Sequence, residues 1–269
     1  MTAQTLPRSF SAGIEIRGLR LLNLALEDAV AAIESAVLGG SETRVAFVNA
    51  DCVNIAANDK TYRDRLAAMD WVFVDGIGMR IAGRLLKQPV RDNVNGTDLF
   101  PQLCAALAKH GRSLYLLGGR PGIAEAAGDW ARTRYPGLRI AGTRHGYFGA
   151  DETDVLVADI RGKRPDVLLV AMGVPVQEAW IDRYAASTGA TVTLGVGGLF
   201  DYYSGRIPRA PLWMRRLGIE WIFRLLQEPG RLWRRYLVGN TVFLARIGRD
   251  WLGRAVSPTS PRGTYREQA

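Results

Sequence analysis

Asp75 stands where an apolar run gives way to a glycine-containing helical pattern. The run 71–75, "WVFVD", is typical of a buried strand, and Gly76-Ile77-Gly78 follows it directly. In an open parallel sheet, ligands bind outside the carboxyl ends of the strands, and glycine lets a substrate come close to the backbone. A carboxylate in that place can take a proton from an attacking hydroxyl group. It can also cap the following helix, and the residues leave both roles open.

Polar side chains and glycines follow other apolar runs in the same way. Backbone N–H groups at a helix start can hold a phosphate, and amide or carboxylate side chains can hydrogen-bond sugar hydroxyls. The alternative for each is helix capping or solvent exposure, and for Asp51 capping is the favoured role. The candidate ligand-binding residues, besides Asp75, are Asn49, Gly76, Asn95, Thr97, Gly118, Gly119, Gly173, Gln177, Glu178, Gly197 and Gly198.

The elements that must position these residues alternate along the chain. Continuous apolar runs, typical of strands covered on both faces, predict strands at 44–49, 71–75, 113–118, 138–143, 166–172 and 191–197. Helical patterns lie between them, at 50–69, 77–86, 97–109, 122–135, 152–161 and 176–186. A short strand pair and a helix precede the first of these runs. Such alternation predicts an α/β fold, a Rossmann-like and mostly parallel sheet with helices on both faces.

The excess positive charge belongs to the C-terminal part of the chain. The net charge is +9, yet residues 1–205 hold 22 basic and 22 acidic side chains. Residues 206–269 hold 13 Arg, 4 acidic residues and no Lys, with four of the seven Trp. We therefore predict an α/β catalytic domain at 1–205, a basic amphipathic helical appendage at 206–255 and a disordered tail at 256–269.

Three arginines of the appendage have helical spacing. Arg224, Arg231 and Arg234 would share a face of a continuous helix, although Pro229 can break such a helix. Arginine holds diphosphates in a bidentate manner, and interfacial Trp favours contact with an anionic membrane surface. The alternative is a helix packed on its own domain with its arginines in solvent.

Several classes of protein are disfavoured by what the sequence lacks. The chain has two Cys without CxxC spacing, which argues against a disulfide framework and fits a reducing cytoplasm. It has only two His, which argues against a His-rich zinc site. No signal peptide or spanning helix is recognisable. No Asp-x-Asp, P-loop, GxSxG or HExxH motif occurs, and "LLGGRPG" is not the GxGxxG of dinucleotide-binding proteins. We expect no cofactor and no metal.

The motifs taken together resemble the WecG/TagA/CpsF glycosyltransferase family. The resemblance covers about residues 13–240 and depends on the order of "NADCVNIA", "DGIGM", "NGTDLF", "LLGGRPG", "AMGVPVQEAWI", "GVGGLFDYYSG" and the final basic run. It implies an inverting, metal-independent hexosyltransferase of cell-envelope or exopolysaccharide synthesis. Such an enzyme moves a sugar from a UDP-sugar to a polyprenyl-diphosphate-linked saccharide, at the cytoplasmic face of the membrane.

The resemblance also implies residue roles. Asp75 matches the catalytic base, Gln177 and Glu178 match a substrate-binding signature, and the three appendage arginines match residues that grip the acceptor diphosphate. N-acetylmannosamine, its uronic acid and glucose are all donor sugars of such relatives, and "NVNGTDLF" weakly favours glucose or another hexose. A homo-oligomer is left open. The alternatives are a nicotinamide oxidoreductase of Rossmann type and a nucleic-acid-binding protein that uses the arginine-rich tail, although no nucleic acid is expected as a partner.

Overall fold

The strands form one twisted sheet that is parallel except at one edge. The computed structural model describes residues 13–256, with side chains to residue 253. Within that range the sheet has eight strands in the order β1-β2-β4-β3-β8-β7-β5-β6, and only β1 and β2 are antiparallel to each other. The strands are β1 (Gly13–Ile16), β2 (Leu19–Leu22), β3 (Thr43–Val48), β4 (Trp71–Val74), β5 (Ser113–Gly118), β6 (Arg139–Arg144), β7 (Val167–Ala171) and β8 (Val192–Gly195).

Helices cover both faces of this sheet, so the α/β prediction is confirmed. The first nine helices are α1 (Leu26–Gly39), α2 (Ala50–Asn58), α3 (Lys60–Ala67), α4 (Ile77–Leu85), α5 (Gly96–Lys109), α6 (Ile123–Arg134), α7 (Thr153–Lys163), α8 (Val176–Thr188) and α9 (Leu199–Tyr203). One apolar core lies under α1, α5, α6 and α9, and the other lies under α2, α3, α4, α7, α8 and the last helix. Because both faces are covered, β5 and β7 are buried throughout and β3 is buried except at Arg44, which explains their mostly continuous apolar sequences.

The helix predicted at 50–69 is two helices. Asp59 interrupts it with an extended backbone, φ −122° and ψ 104°. Its side chain accepts a hydrogen bond from the backbone N–H of Tyr62 at 3.0 Å, so that Asp59 is the N-cap of α3. The continuous prediction was wrong because the apolar spacing continues across a residue whose side chain competes with the helical backbone.

Short helices and one long helix follow α9. They are α10 (Leu212–Arg216), α11 (Glu220–Gln227), α12 (Pro229–Trp233), a π-helical turn (Arg234–Gly239) and α13 (Asn240–Val256). Helix α13 packs on α2 and α4, and its Phe243 and Ile247 are fully buried in the core beneath them. The Arg246 guanidinium donates to the backbone oxygen of Asn54 at 3.2 Å. The division at residue 205 stays a prediction.

Two further expectations concern the C-terminal end and the membrane. Nearly all of the predicted disordered tail, residues 257–269, lies outside the described residues. Within residues 13–256, no helix combines the length and the apolarity that crossing a bilayer requires.

Candidate active site

A cavity of about 1090 Å³ lies at the carboxyl ends of the parallel strands. Loops that follow β3, β4, β5, β7 and β8 form one wall, and residues of α11, α12, the π-helical turn and α13 form the opposite wall. Because parallel strands present their carboxyl ends at the same edge, loops far apart in sequence meet here. The predicted residues that line this cavity are Asn49, Asp75, Gly76, Asn95, Thr97, Gly119, Gly173, Gln177, Gly197, Gly198, Arg224 and Arg231.

Asp75 is a half-buried carboxylate on the cavity wall, and it does not cap the helix that follows it. Gly76, with φ 91°, is the N-cap position of α4, and no side chain caps that helix. The Asn49 amide donates to Asp75 Oδ2 at 3.5 Å. Burial raises the pKa of Asp75 to about 6, against the lowering effects of the Asn49 hydrogen bond and of the charges on Arg235 and Arg224. Asp75 is therefore mainly ionised at neutral pH and is a stronger base than an exposed Asp.

Two asparagines fix the helix starts beside Asp75. Asn49 Oδ1 accepts hydrogen bonds from the backbone N–H groups of Asp51 at 3.0 Å and Cys52 at 3.2 Å. Asn95 Oδ1 accepts one from Asp98 at 2.8 Å. The expectation that Asp51 caps α2 was thus wrong, since the cap is two residues earlier. Asp51 instead pairs with Arg235, with 3.1 Å between Oδ2 and Nε.

Gln177 joins two of the glycine loops. Its side-chain oxygen accepts hydrogen bonds from the backbone N–H of Gly173 at 3.2 Å and of Gly197 at 2.9 Å. Its amide nitrogen donates to Glu178 Oε1 at 2.8 Å, which fixes the orientation of the amide. Gln177 is 2% exposed and reaches the cavity, whereas Glu178 is 0% exposed and does not line it.

Glu178 and Gly118 therefore lie behind the cavity wall. Burial raises the pKa of Glu178 to about 7, and no described residue forms a hydrogen bond with its Oε2. Gly118, with φ 135°, ends β5 so close to the backbone oxygen of Ala171 that a Cβ would clash with it. The sequence analysis placed Gly118 in contact with a ligand because it begins a glycine loop after a strand, and Glu178 because it matches a substrate-binding signature.

The C-terminal arginines differ in their surroundings. The Arg224 guanidinium lies over the Tyr202 ring at 5.2 Å, and its Nη2 is 2.6 Å from where a side chain at Gly198 would begin. Its Nε is buried without a hydrogen-bond partner, and no carboxylate in the described chain forms an ion pair with it. Arg231 lines the cavity but pairs with Glu228.

Arg234 is exposed and does not line the cavity. Its guanidinium lies over the Trp233 ring at 5.2 Å, whereas the next residue, Arg235, lines the cavity and pairs with Asp51. Arg234 does not share a face with Arg224 and Arg231, as the helical spacing predicted, because the chain bends at Pro229 and then forms a π-helical turn, which changes the faces of the helix. The two consecutive arginines in "RLWRRY" were the signal that could have identified Arg235 as a second candidate for the site. Other cavity-lining arginines that the sequence analysis missed are Arg120, Arg206 and Arg215.

Comparison with known proteins identifies the family. The model of the WecG/TagA/CpsF family of glycosyl transferases matches residues 14–257. The chain belongs to this family. A Bacillus subtilis relative is 32% identical over 193 residues, which is 72% of this chain and 74% of the relative. A Staphylococcus aureus relative is 30% identical over 244 residues, 90% of this chain and 94% of the relative.

Both relatives carry the name N-acetylglucosaminyldiphosphoundecaprenol N-acetyl-beta-D-mannosaminyltransferase. The resemblance of the sequence to the family is thereby confirmed, and the protein is a glycosyltransferase. The family membership decides against the nicotinamide oxidoreductase and against nucleic-acid binding as the main function. The cavity at the strand ends brings together several arginines and Asp75, a carboxylate with a raised pKa.

Proposed function

We propose that this glycosyltransferase moves a sugar from a UDP-sugar to a saccharide carried on polyprenyl diphosphate, with inversion and without a metal ion. The observation that carries the proposal is Asp75, a carboxylate with a raised pKa on the wall of a cavity that also contains Arg224 and Arg235. The acceptor class comes from the two relatives, whose names contain diphosphoundecaprenol. The role is in cell-envelope polysaccharide synthesis.

Inversion by direct displacement needs one base. The ionised Asp75 takes the proton of the acceptor hydroxyl while that oxygen bonds to the anomeric carbon of the donor. The bond between the anomeric carbon and the UDP oxygen breaks, and its electron pair leaves with the diphosphate. A pKa of about 6 keeps Asp75 ionised at pH 7 and brings it closer to the pH at which proton transfer is most effective.

The departing diphosphate requires positive charge and N–H donors. Arg224 lies against Gly198, its buried Nε has no hydrogen-bond partner among the described residues, and no described carboxylate forms an ion pair with it, so its guanidinium can bind a diphosphate. The loops at Gly119, Gly173 and Gly197 let a phosphate come close to the backbone, although the N–H groups of these three glycines already donate within the protein. Within the described residues, no group of three or more His, Cys, Asp or Glu is arranged to hold a metal ion. Stabilisation of the leaving group is therefore assigned mainly to arginine.

A lipid-linked acceptor places the enzyme at the inner face of the cell membrane. Large apolar side chains are exposed along the C-terminal helices, among them Trp213, Leu217, Leu226, Trp233 and Trp251. Arginines lie between them, and each is attracted to anionic lipid by roughly 1 kcal/mol. We propose peripheral binding through residues 206–255. Because Phe243 and Ile247 belong to the core, a test uses point variants of the full chain rather than truncation.

The donor is proposed to be a UDP-hexose or UDP-N-acetylhexosamine. The two relatives transfer N-acetylmannosamine by name, which puts UDP-N-acetylmannosamine before UDP-glucose as the first donor to test. The cavity volume of about 1090 Å³ accommodates both a nucleotide sugar and an acceptor sugar.

A screen of UDP-sugars with an N-acetylglucosaminyl-diphospholipid tests the function. Mass spectrometry should find one added sugar with one donor, NMR of the product should show the inverted anomeric configuration, and EDTA should not lower the rate. If the enzyme uses none of the UDP-sugars, the proposed donor class is overturned. If the product keeps the anomeric configuration of the donor, the inverting mechanism is overturned. Wild type is compared with Asp75→Asn, which should bind UDP but not turn over.

A further inference from the structure

The wall of the cavity changes from polar to apolar between α4 and α13. One part of the lining, on α4, the π-helical turn and α13, is mainly apolar. We call this part the apolar cleft, and it is formed by Ile77, Ile81, Leu237, Thr241 and Leu244, with Asn240 beside them. The Thr241 hydroxyl donates to the Leu237 backbone oxygen at 2.7 Å, and the four apolar side chains offer no hydrogen bond to a phosphate or a saccharide. The cleft therefore needs another explanation.

The residues of the apolar cleft form two rows. Ile77 and Ile81 are four residues apart on α4, so they share one face of that helix. Leu237, Thr241 and Leu244 follow one another by four and three residues along the π-helical turn and α13. Both rows line the same cavity, beside the contact between α4 and α13.

The apolar cleft is open to water, and the buried side chain beneath it does not cover its exposed residues. Ile81 is 39% exposed and Leu244 is 42% exposed, whereas Phe243 between the two rows is fully buried and forms the floor. A side chain at Gly78 would lie 3.5 Å from the Phe243 ring, so this glycine keeps the floor low. Exposed apolar surface inside a cavity favours an apolar ligand, because covering it removes water from both.

The two rows continue outward at helical spacing. Leu85 follows Ile81 by four residues, and Trp251 follows Leu244 by seven; both are exposed. From Ile77 to Leu85 the helix spans about 12 Å, at roughly 1.5 Å per residue. The strip therefore leads from the cavity toward the exposed apolar side chains of the C-terminal helices. It can hold a short apolar chain but not an undecaprenyl chain.

Positive charge lines the same cavity as the apolar cleft. Arg235 precedes Leu237 by two residues and pairs with Asp51, and the charges of Arg235 and Arg224 lower the pKa of Asp75 against the effect of burial. A ligand that fits this order of groups has a hydroxyl near Asp75, an anionic group near Arg235 and an apolar chain beyond it. Two other ligands fit less well. The surface of a bilayer has no single chain that enters a cavity, and a free phosphate has no apolar group to cover the apolar strip.

We propose that the apolar cleft binds the first isoprene units of the acceptor, next to its diphosphate. These isoprene units then lie outside the bilayer, and the enzyme recognises the isoprenoid chain as well as the diphosphate and the sugar of the acceptor. This inference rests on the proposed function, since it takes a polyprenyl-diphosphate sugar as the acceptor. It adds a lipid-binding site, formed by α4 and α13, to the sugar and diphosphate sites.

Water-soluble acceptors separate the apolar cleft from the bilayer. N-acetylglucosaminyl diphosphates that carry a methyl, geranyl or farnesyl group are compared without vesicles or detergent, below their micelle concentrations. We expect kcat/KM to rise at least tenfold from methyl to farnesyl, with most of the change in KM. A rise that appears only after vesicles are added would overturn the proposal and assign the exposed residues to the bilayer.

Leu244→Asn and Ile81→Asn test the residues. Each should remove most of the gain from methyl to farnesyl. Leu38→Asn is the matched control, since Leu38 is 44% exposed on α1, on the opposite face of the sheet, and this variant should keep the full gain. Equal loss in all three variants, or an unchanged gain in Leu244→Asn, would overturn the proposal. Sedimentation of each variant is measured beside its kinetics. If a variant loses the gain from methyl to farnesyl because an oligomer has dissociated, the cleft is assigned to a second copy of the chain and the proposal is overturned.

Farnesyl diphosphate gives a second measurement that does not depend on turnover of the variants. As an inhibitor competitive with the acceptor, it should bind wild type at least tenfold more tightly than inorganic diphosphate does, and Leu244→Asn should lose this difference. Equal inhibition by the two compounds would overturn the apolar cleft. Failure of every acceptor, including the undecaprenyl compound, would instead count against the proposed function itself.

Discussion

The two walls of the cavity are built in different ways. On the strand-end wall, polar side chains are occupied by the protein itself: Asn49 and Asn95 cap helices, and Gln177 holds two glycine loops. On the C-terminal wall, none of the described carboxylates forms an ion pair with Arg224, and Leu244 is exposed. The first wall thus fixes the geometry of the site, while the second wall offers charge and apolar surface to a substrate.

Asp75 belongs to the fixed wall but is the residue expected to react. Asp75→Asn should lower kcat about 10³-fold, because a positioned general base contributes roughly 10²–10⁴-fold. UDP affinity, measured by calorimetry, should change less than twofold. An activity within tenfold of wild type would remove Asp75 from the role of base and would make this wall purely structural.

Removal of charge from the open wall should have the next largest effect. Arg224→Met should lower kcat/KM about 10- to 100-fold, since hydrogen bonds to charged groups contribute about 1.5–3 kcal/mol. Arg234→Met is the matched control, because Arg234 lies outside the cavity, and it should stay within about threefold of wild type. The reverse order of effects would restore the sequence-based choice of Arg234.

The acidity of Asp75 gives a pH-dependent comparison. The base must be ionised, and its pKa is raised to about 6 by burial. The logarithm of kcat/KM should therefore be flat above pH 7 and fall by about one unit per pH unit well below pH 6. A rate that stays constant down to pH 5 would show that this carboxylate does not limit the reaction.

Glu178 tests whether the fixed wall acts through geometry. In Glu178→Met, the Gln177 amide loses its acceptor and can rotate, so the loops at Gly173 and Gly197 lose their shared partner. UDP should bind about tenfold more weakly, and Glu178→Gln should restore most of the affinity because its side-chain oxygen accepts the same hydrogen bond.

Thr188→Val is the control for this effect. Thr188 is equally buried at the far end of α8, and its hydroxyl donates to the Ala185 backbone oxygen at 2.6 Å. This variant should lower the melting temperature without changing UDP affinity. Equal UDP affinity in Glu178→Met and wild type would show that the glycine loops hold their positions without Gln177.

The smallest expected effect is a gain in stability. Because the folded-state pKa of Asp75 is above its unfolded value of 3.8, wild type loses stability as the pH rises from about 4 to about 6. Asp75→Asn removes this loss. Its melting temperature should exceed that of wild type by a few degrees at pH 7.5, on the order of 2–6 °C, and the difference should vanish near pH 4. A lower melting temperature at pH 7.5 would contradict the cost of this buried charge.

The fold was largely predictable from the sequence because its signals are local. Continuous apolar runs gave the inner strands to within a residue or two, and the alternation with helical patterns gave a parallel sheet. Parallel strands then require that residues after them meet at one edge, which placed Asn49, Asp75, Asn95 and Gln177 on the cavity wall. The order of the motifs was enough for the family.

Only the tertiary structure decided which neighbour of a pair faces the cavity. Successive side chains of a helix point in different directions, so Arg235 lines the cavity and Arg234 does not, although they are adjacent in the π-helical turn. Gln177 reaches the cavity and Glu178 lies behind it for the same reason. The sequence by itself determined the type and order of the inner strands and of the helices between them, since these depend on local composition, but it missed the break at Asp59. Which side chains of the two walls reach the cavity depends on how α13 packs on α2 and α4. These helices are distant in sequence, so no local pattern specifies their contacts.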